Sequence, residues 1–155
     1  MASIRSRIGE KMEDRYLYKA KRLDNGEWEI GGLIALPTGE YEISNKCNNP
    51  PDCDPMWYKV VITHKVDPST ICQCTGLKDK NGNLIWENDI VAYWDTYSTE
   101  NGHEEMDCIG KVVWDDETIS FQVTNRLSSE SYEVLDECSV IGNIFDNTEL
   151  LESEE

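Results

Sequence analysis

Helical periodicity is scarce along this chain. Short alternating or apolar runs bounded by turn residues take its place. The clearest are "CIGKVVW", Cys108 to Trp114, and "TISFQVT", Thr118 to Thr124. In the second, Ile119, Phe121 and Val123 alternate with Ser120, Gln122 and Thr124, as a half-buried strand requires. Asp115-Asp116-Glu117 is the turn between them. Upstream, Asn25-Gly26 predicts a turn, then a strand from Glu27 with a break or bulge at Gly31-Gly32. Thr38-Gly39 predicts a turn before "EYEIS". "MWYKVVI", Met56 to Ile62, and "IVAYW", Ile90 to Trp94, predict strands, and "SYEVL" and "SVIGNIF" close the series. Helix is confined to "DPSTICQ" from Asp67 and the last turns after Asp146. The expected fold is mainly β, a small rolled sheet or β-barrel.

One stretch, "TGLKDKNGNLIWENDIV" from Thr75, carries enough polar residues to suggest chemistry. Asp79, Asn81 and Asn83 take the first, third and fifth places of a calcium loop, but Leu84 and Ile90 stand where such a loop needs Gly and a bidentate Glu. No phosphate-binding G-x-x-x-x-G-K-[ST] run is present. What remains is turn chemistry. Asn81-Gly82 suits a type I′ hairpin, in which both central residues have positive φ. Glu87-Asn88-Asp89 suits a second tight turn, with Asn88 left-handed and the Asp89 carboxylate accepting backbone N–H bonds before Ile90. Asn81, Gly82, Asn88 and Asp89 are therefore candidate structural residues.

Length bounds the organisation: 155 residues suffice for one domain or two very small lobes, with a genuine core. No apolar run approaches the roughly 18 residues that cross a bilayer, and no signal-peptide stretch opens the chain, so the expected location is cytoplasmic. Met12 offers a more typical start, and residues 1–15 are expected to be a mobile extension. Charge is the strongest compositional signal: 31 acids against 14 bases, net −17. Residues 1–23 carry seven bases and three acids, whereas residues 84–155 carry only Lys111 and Arg126 against 19 acids. Such a surface repels phosphate backbones, so duplex nucleic acid is not an expected partner.

Six cysteines raise the question of a metal. Cys47 and Cys53 have five residues between them and Cys72 and Cys74 one, while Cys108 and Cys138 stand alone. None of these spacings is a zinc knuckle, and no metal or other cofactor is expected. The two histidines, His64 after a strand and His103 in the polar loop "STENGHEEMD", lie in no nucleophile motif. Catalytic residues: none are expected, and the chain is not read as an enzyme.

At "STICQCTGLKDKNGNLIWENDIV" the chain resembles the YopX family of phage and prophage proteins, whose signature is a Q-x-TGL-x-D-x-NG run, an aromatic, E-G/N-D and an apolar strand. "RYLYKAKRLDNGEWEIGG", "IGKVVWDDETISFQV" and "SVIGNIFDNTELL" resemble the family's opening and closing segments, so the likeness runs from about Met12 to Leu151. Cys74 stands where an aromatic is usual, and Asn88 where Gly is more common. The expected organisation is a β-rich domain over 16–150, with lobes 16–75 and 76–147, and an acidic tail at 151–155. The resemblance implies a β-rich fold, with an SH3-like barrel in the C-terminal half. It implies no activity, cofactor or catalytic residue. The expected function is a non-catalytic accessory module that binds a phage or host protein through its aromatics, Trp57, Trp86, Trp94 or Trp114. The alternative is a nucleic-acid-linked regulator, by acidic mimicry of DNA or through the basic N-terminal segment. No membrane partner is expected, and self-association stays open.

Overall fold

The computed structural model describes residues 15–46, 61–125, 131–133 and 137–152. The chain is mainly β, in two antiparallel sheets, and divides into two compact units, Met1–Gln73 and Cys74–Glu155.

In the first unit, β1 (Tyr18–Lys21), β2 (Trp28–Ala35), β3 (Tyr41–Lys46) and β4 (Val61–Val66) lie antiparallel in the order β4-β3-β2-β1. The first residues of β5 (Cys72–Lys78) pair with β1, Gln73 opposite Tyr18 and Cys72 opposite Lys19. Ala20, Ile43 and Val66 are buried at the centre, with Tyr18, Leu33, Tyr41 and Ile71 packed on them. Gly31-Gly32 is not a break. β2 runs through it, and glycine is needed at Gly31 because a Cβ there would collide with the Ser44 carbonyl of β3. "DPSTICQ" forms one 3-10 turn, Pro68–Thr70, rather than a longer helix. Asp67 Oδ1 accepts the Ser69 N–H at 3.0 Å, and the Thr70 hydroxyl accepts the Lys21 N–H at 2.9 Å, so the segment is tied to β1 and then enters β5. Most of "MWYKVVI", Trp57 included, lies outside the described residues.

In the second unit, β6 (Leu84–Trp86) pairs with the end of β5, Cys74 opposite Trp86 and Lys78 opposite Leu84. β7 (Asp89–Thr99), β8 (Gly102–Asp115), β9 (Ser120–Thr124), β10 (Ser131–Glu133) and β11 (Ser139–Asn143) form a sheet in the order β10-β9-β8-β7-β11. A short helix, α1 (Glu149–Glu152), follows where the sequence places the last helical turns. Ile85, Val91, Val112, Val123 and Cys138 are buried together, under Leu77, Tyr93, Phe121 and Val140. Burying one such aliphatic side chain stabilises by about 1.5–3 kcal/mol before chain entropy opposes it.

Three expectations are corrected here. The sheet is not closed into a barrel: β10 and β11 are its two edges and do not pair with each other, and a register shift between Val140 and Gly142 bends β11. Ile119 is not the first inward residue of a strand. It sits in the turn before β9, 75% exposed, with φ at 54°. The "STENGHEEMD" loop is also not a loop: β7 and β8 extend through it to a tight turn at Glu100-Asn101. Alternation there is polar on both faces, so hydrophobicity gives no sign of the strand.

Candidate binding surface

The polar stretch from Thr75 folds against its own backbone. The Thr75 hydroxyl donates to the Ile85 carbonyl at 2.7 Å and accepts the Leu77 N–H at 3.1 Å, bridging a β5 irregularity where Gly76 has φ of 78°. Asp79 is buried, 5% exposed. Its Oδ1 accepts the N–H groups of Asn81 and Asn83, both at 2.9 Å, and its Oδ2 accepts the Val140 N–H of β11 at 2.9 Å. Burial alone would raise this carboxyl's pKa. The bonds from Val140, then Asn83 and Asn81, outweigh it, and the pKa lies below the ordinary aspartate value. The carboxylate thus faces N–H donors, the opposite of a cation site. Of the central turn residues only Gly82 has positive φ, 85°, so Asn81 does not complete a type I′ turn; Asp79 closes the loop instead, and the Gly82 N–H donates to its carbonyl at 3.0 Å.

The second turn is built the same way. Asn88 has φ of 68°, its N–H donates to the Val112 carbonyl at 2.8 Å, and its carbonyl accepts the Ile144 N–H at 3.0 Å. Asp89 is 2% exposed, and its Oδ2 accepts the Trp86 N–H at 2.8 Å. Asn81 and Gly82 are held with Asp79 in the first turn, and Asn88 and Asp89 make the second; the Asp79 link to β11 was not revealed by the turn pattern alone. A partner 61 positions away has no local sequence signal.

The candidate aromatics part company. Trp86 is buried at 6% exposure. Trp114 is 42% exposed, but its Nε1–H donates to Asp116 at 2.8 Å and its ring meets Phe121 edge-on at 5.1 Å. Trp94 is 67% exposed on β7, and no side-chain hydrogen bond or ring contact holds its indole among the described residues. Asp107 of β8 stands directly opposite it, and Glu105 opposite Thr96 on the same face. Trp28, absent from the sequence-based candidates, lies under the ammonium groups of Lys19 and Lys21, at 4.9 and 5.4 Å.

Other chemistry is sparse. His64 Nδ1 lies 3.7 Å from Glu29 Oε2, and the same carboxylate faces Arg22 at 3.8 Å and Asn45. Arg22 is itself forked onto exposed Asp24, whose pKa that hydrogen bond lowers. His103 lies in β8, its Nδ1 3.4 Å from the Ser98 hydroxyl. Cys72, Cys74, Cys108 and Cys138 are buried, and Cys47 and Cys53 lie outside the described residues. Among the described residues no three His, Cys, Asp or Glu side chains group around a metal position. A groove of about 420 Å³ beside α1 is lined by Ile109, Lys111, Thr124, Ile144 and Leu151. Among the described residues no helix is long and apolar enough to cross a membrane.

Comparison with known proteins places this geometry in a family. The family model described as "YopX protein" matches residues 17–152, nearly the whole chain. The chain belongs to the YopX family. A crystal structure of protein EF1440 from Enterococcus faecalis is similar at 21% identity, over 86% of this chain and 96% of that one, with a TM-score of 0.47. No curated protein matches.

Proposed function

We propose that this member of the YopX family is a phage or prophage accessory protein that acts in the bacterial cytoplasm without catalysis, by binding a protein of the phage or its host. The observation that carries this reading is Trp94. A large aromatic 67% exposed on a regular strand, with no side-chain hydrogen bond or ring contact among the described residues, gives a contact surface. The absence of catalysis is part of the proposal; His64, beside Glu29 and Arg22, is read as structural. The acidic charge supports the alternative, mimicry of DNA, and competition separates the two. The tagged chain is used to capture partners from host cells, and captured proteins are challenged with duplex DNA. A partner that stays bound in excess duplex and is lost with Trp94→Ala supports protein recognition. A DNA-binding partner that duplex displaces, while Trp94→Ala retains it, supports mimicry.

A further inference from the structure

The outer half of the β7–β8 hairpin has no visible use inside the fold. β11 accompanies β7 only over Asp89–Ala92, and β9 accompanies β8 only from Lys111 onward. Beyond that the two strands pair with each other out to Thr99 opposite Gly102, with no register break. Among the described residues no strand pairs with Trp94–Thr99 on the side where β11 ends. Among the described residues that leaves six residues, roughly 20 Å of β7, with outward backbone donors and acceptors that no strand pairs.

Exposed edges invite strand addition, and proteins usually blunt them with Lys, Pro or a bulge. From Trp94 to Gly110 this chain has no Lys, Arg or Pro. What guards the edge is negative charge: Asp95, Glu100, Glu105 and Asp107 all lie on the hairpin. Those carboxylates repel a second copy of the same acidic hairpin, so self-pairing is opposed. They attract a strand of opposite charge. The side chains fit that choice. Along β7, Trp94 and Asp95 point to opposite faces. A basic residue on an added strand beside Trp94 has the indole face next to it and Asp107 and Glu105 one strand further on, within the reach of an Arg or Lys stem. The next basic residue on the other side meets Asp95. Met106, 43% exposed opposite Asp95, adds apolar area on that side.

We propose that the open edge of β7, Trp94 to Thr99, is a docking edge for an extended, Lys/Arg-bearing segment of a partner protein, which adds to the hairpin as a further antiparallel or parallel strand. The proposal rests on the protein-binding reading and names the edge and the chemistry of its partner.

The test uses the full-length chain and a fluorescein-labelled nine-residue peptide with Arg and Thr alternating. Two control peptides keep its length: one has Glu for Arg, the other keeps every charge but carries N-methyl groups along one backbone edge. Saturable one-to-one binding is expected, with amide protection gained over Trp94–Thr99 in hydrogen exchange. Trp94→Ala is expected to weaken it by about fivefold or more. The double variant E105K/D107K and the N-methylated peptide are each expected to weaken it by about tenfold or more. The Glu peptide should not bind. Both variants change exposed side chains, and their melting temperatures check that the fold is kept. Equal affinity for the N-methylated peptide would mean that charge alone holds the probe, and the docking edge would be refuted. So would protection elsewhere, wild-type affinity in both variants, or no binding up to about 1 mM peptide. A cellular partner that both variants capture as well as wild type does would leave the protein-binding reading intact and overturn only this edge.

Discussion

Two neighbouring regions of this chain use the same residue types for opposite purposes. Between Thr75 and Asp89 two acids, Asp79 and Asp89, point inward, while Asn81 and Asn83 stay exposed. Asp79 takes three backbone N–H groups and Asp89 a fourth, and both are almost fully buried. Between Trp94 and Asp107 the polar side chains stand outward on a two-stranded hairpin, and the largest apolar side chain there, Trp94, is exposed as well. A carboxylate's role follows from whether backbone donors converge on it. Where the chain turns tightly, N–H groups are left without ladder partners and an acid can collect them. Where two strands run in unbroken register, the N–H groups between them are taken by the ladder, and the acids are left to the solvent or to a partner.

Asp79 carries the largest expected loss if this contrast holds. Removing its carboxylate with Asp79→Ala frees the Asn81, Asn83 and Val140 N–H groups together and uncouples the hairpin from β11. A cost of about 2–4 kcal/mol is expected in urea denaturation, above a single hydrogen bond because several donors lose one acceptor. The same group sets a pH dependence. Its folded pKa lies below its unfolded value, near 3.9, so its contribution is complete above that value and fades as pH falls through the folded pKa. The stability gap between wild type and Asp79→Asn should therefore narrow between about pH 5 and pH 2. A gap unchanged over that range would mean the carboxylate's charge is irrelevant to the link. Asp89→Ala comes next, at about 1–3 kcal/mol, because it strands the buried Trp86 N–H. Wild-type stability for that variant would remove Asp89 from the scaffold.

These two acids also show how far the fold and site were legible. The strands β8 and β9 and the turn residues Gly82 and Asn88 can be read from the chain, because alternation and positive-φ preference are local properties. β1 and β5 cannot. β1 is four residues, and in β5 Thr75-Gly76 interrupts the alternation with a bulge. The outer hairpin is missed for a different reason: neither face is buried, so polar residues occupy both and the strand period vanishes. Open sheet or closed barrel depends on whether β10 and β11 meet, which is a non-local matter. Trp86, Trp94 and Trp114 are alike as letters. Only packing separates the buried, the braced and the exposed one.

Backbone conformation gives a smaller, paired test within the turn region. At Gly82 a new Cβ meets open space, so Gly82→Val tests φ alone. A β-branched residue forced to φ near 85° should cost about 1–3 kcal/mol. Asn88→Gly runs the other way at φ of 68°: relief of strain and the added freedom of the unfolded chain nearly cancel, and a change within about 0.5 kcal/mol is expected. Parallel denaturation curves check both. A large loss at Asn88 would show that its side chain, and not its backbone conformation, is what the turn needs.

The smallest expected effect on stability belongs to the outer hairpin, and it is the one that tests the contrast from the other side. Glu105 and Asp107 accept no backbone N–H from any described residue and stand exposed beside other carboxylates. Replacing both, Glu105→Gln with Asp107→Asn, removes like-charge repulsion in a chain of net −17 and preserves side-chain shape. The fold should change by no more than about 0.5 kcal/mol, with stabilisation the expected sign, and the change should shrink as salt is added because exposed charges are screened. Thermal melts at low and high ionic strength measure it. A loss above about 1 kcal/mol would mean that these acids, like Asp79 and Asp89, are satisfied inside the structure. The outer hairpin would then be scaffold too, with no charge left over for a partner.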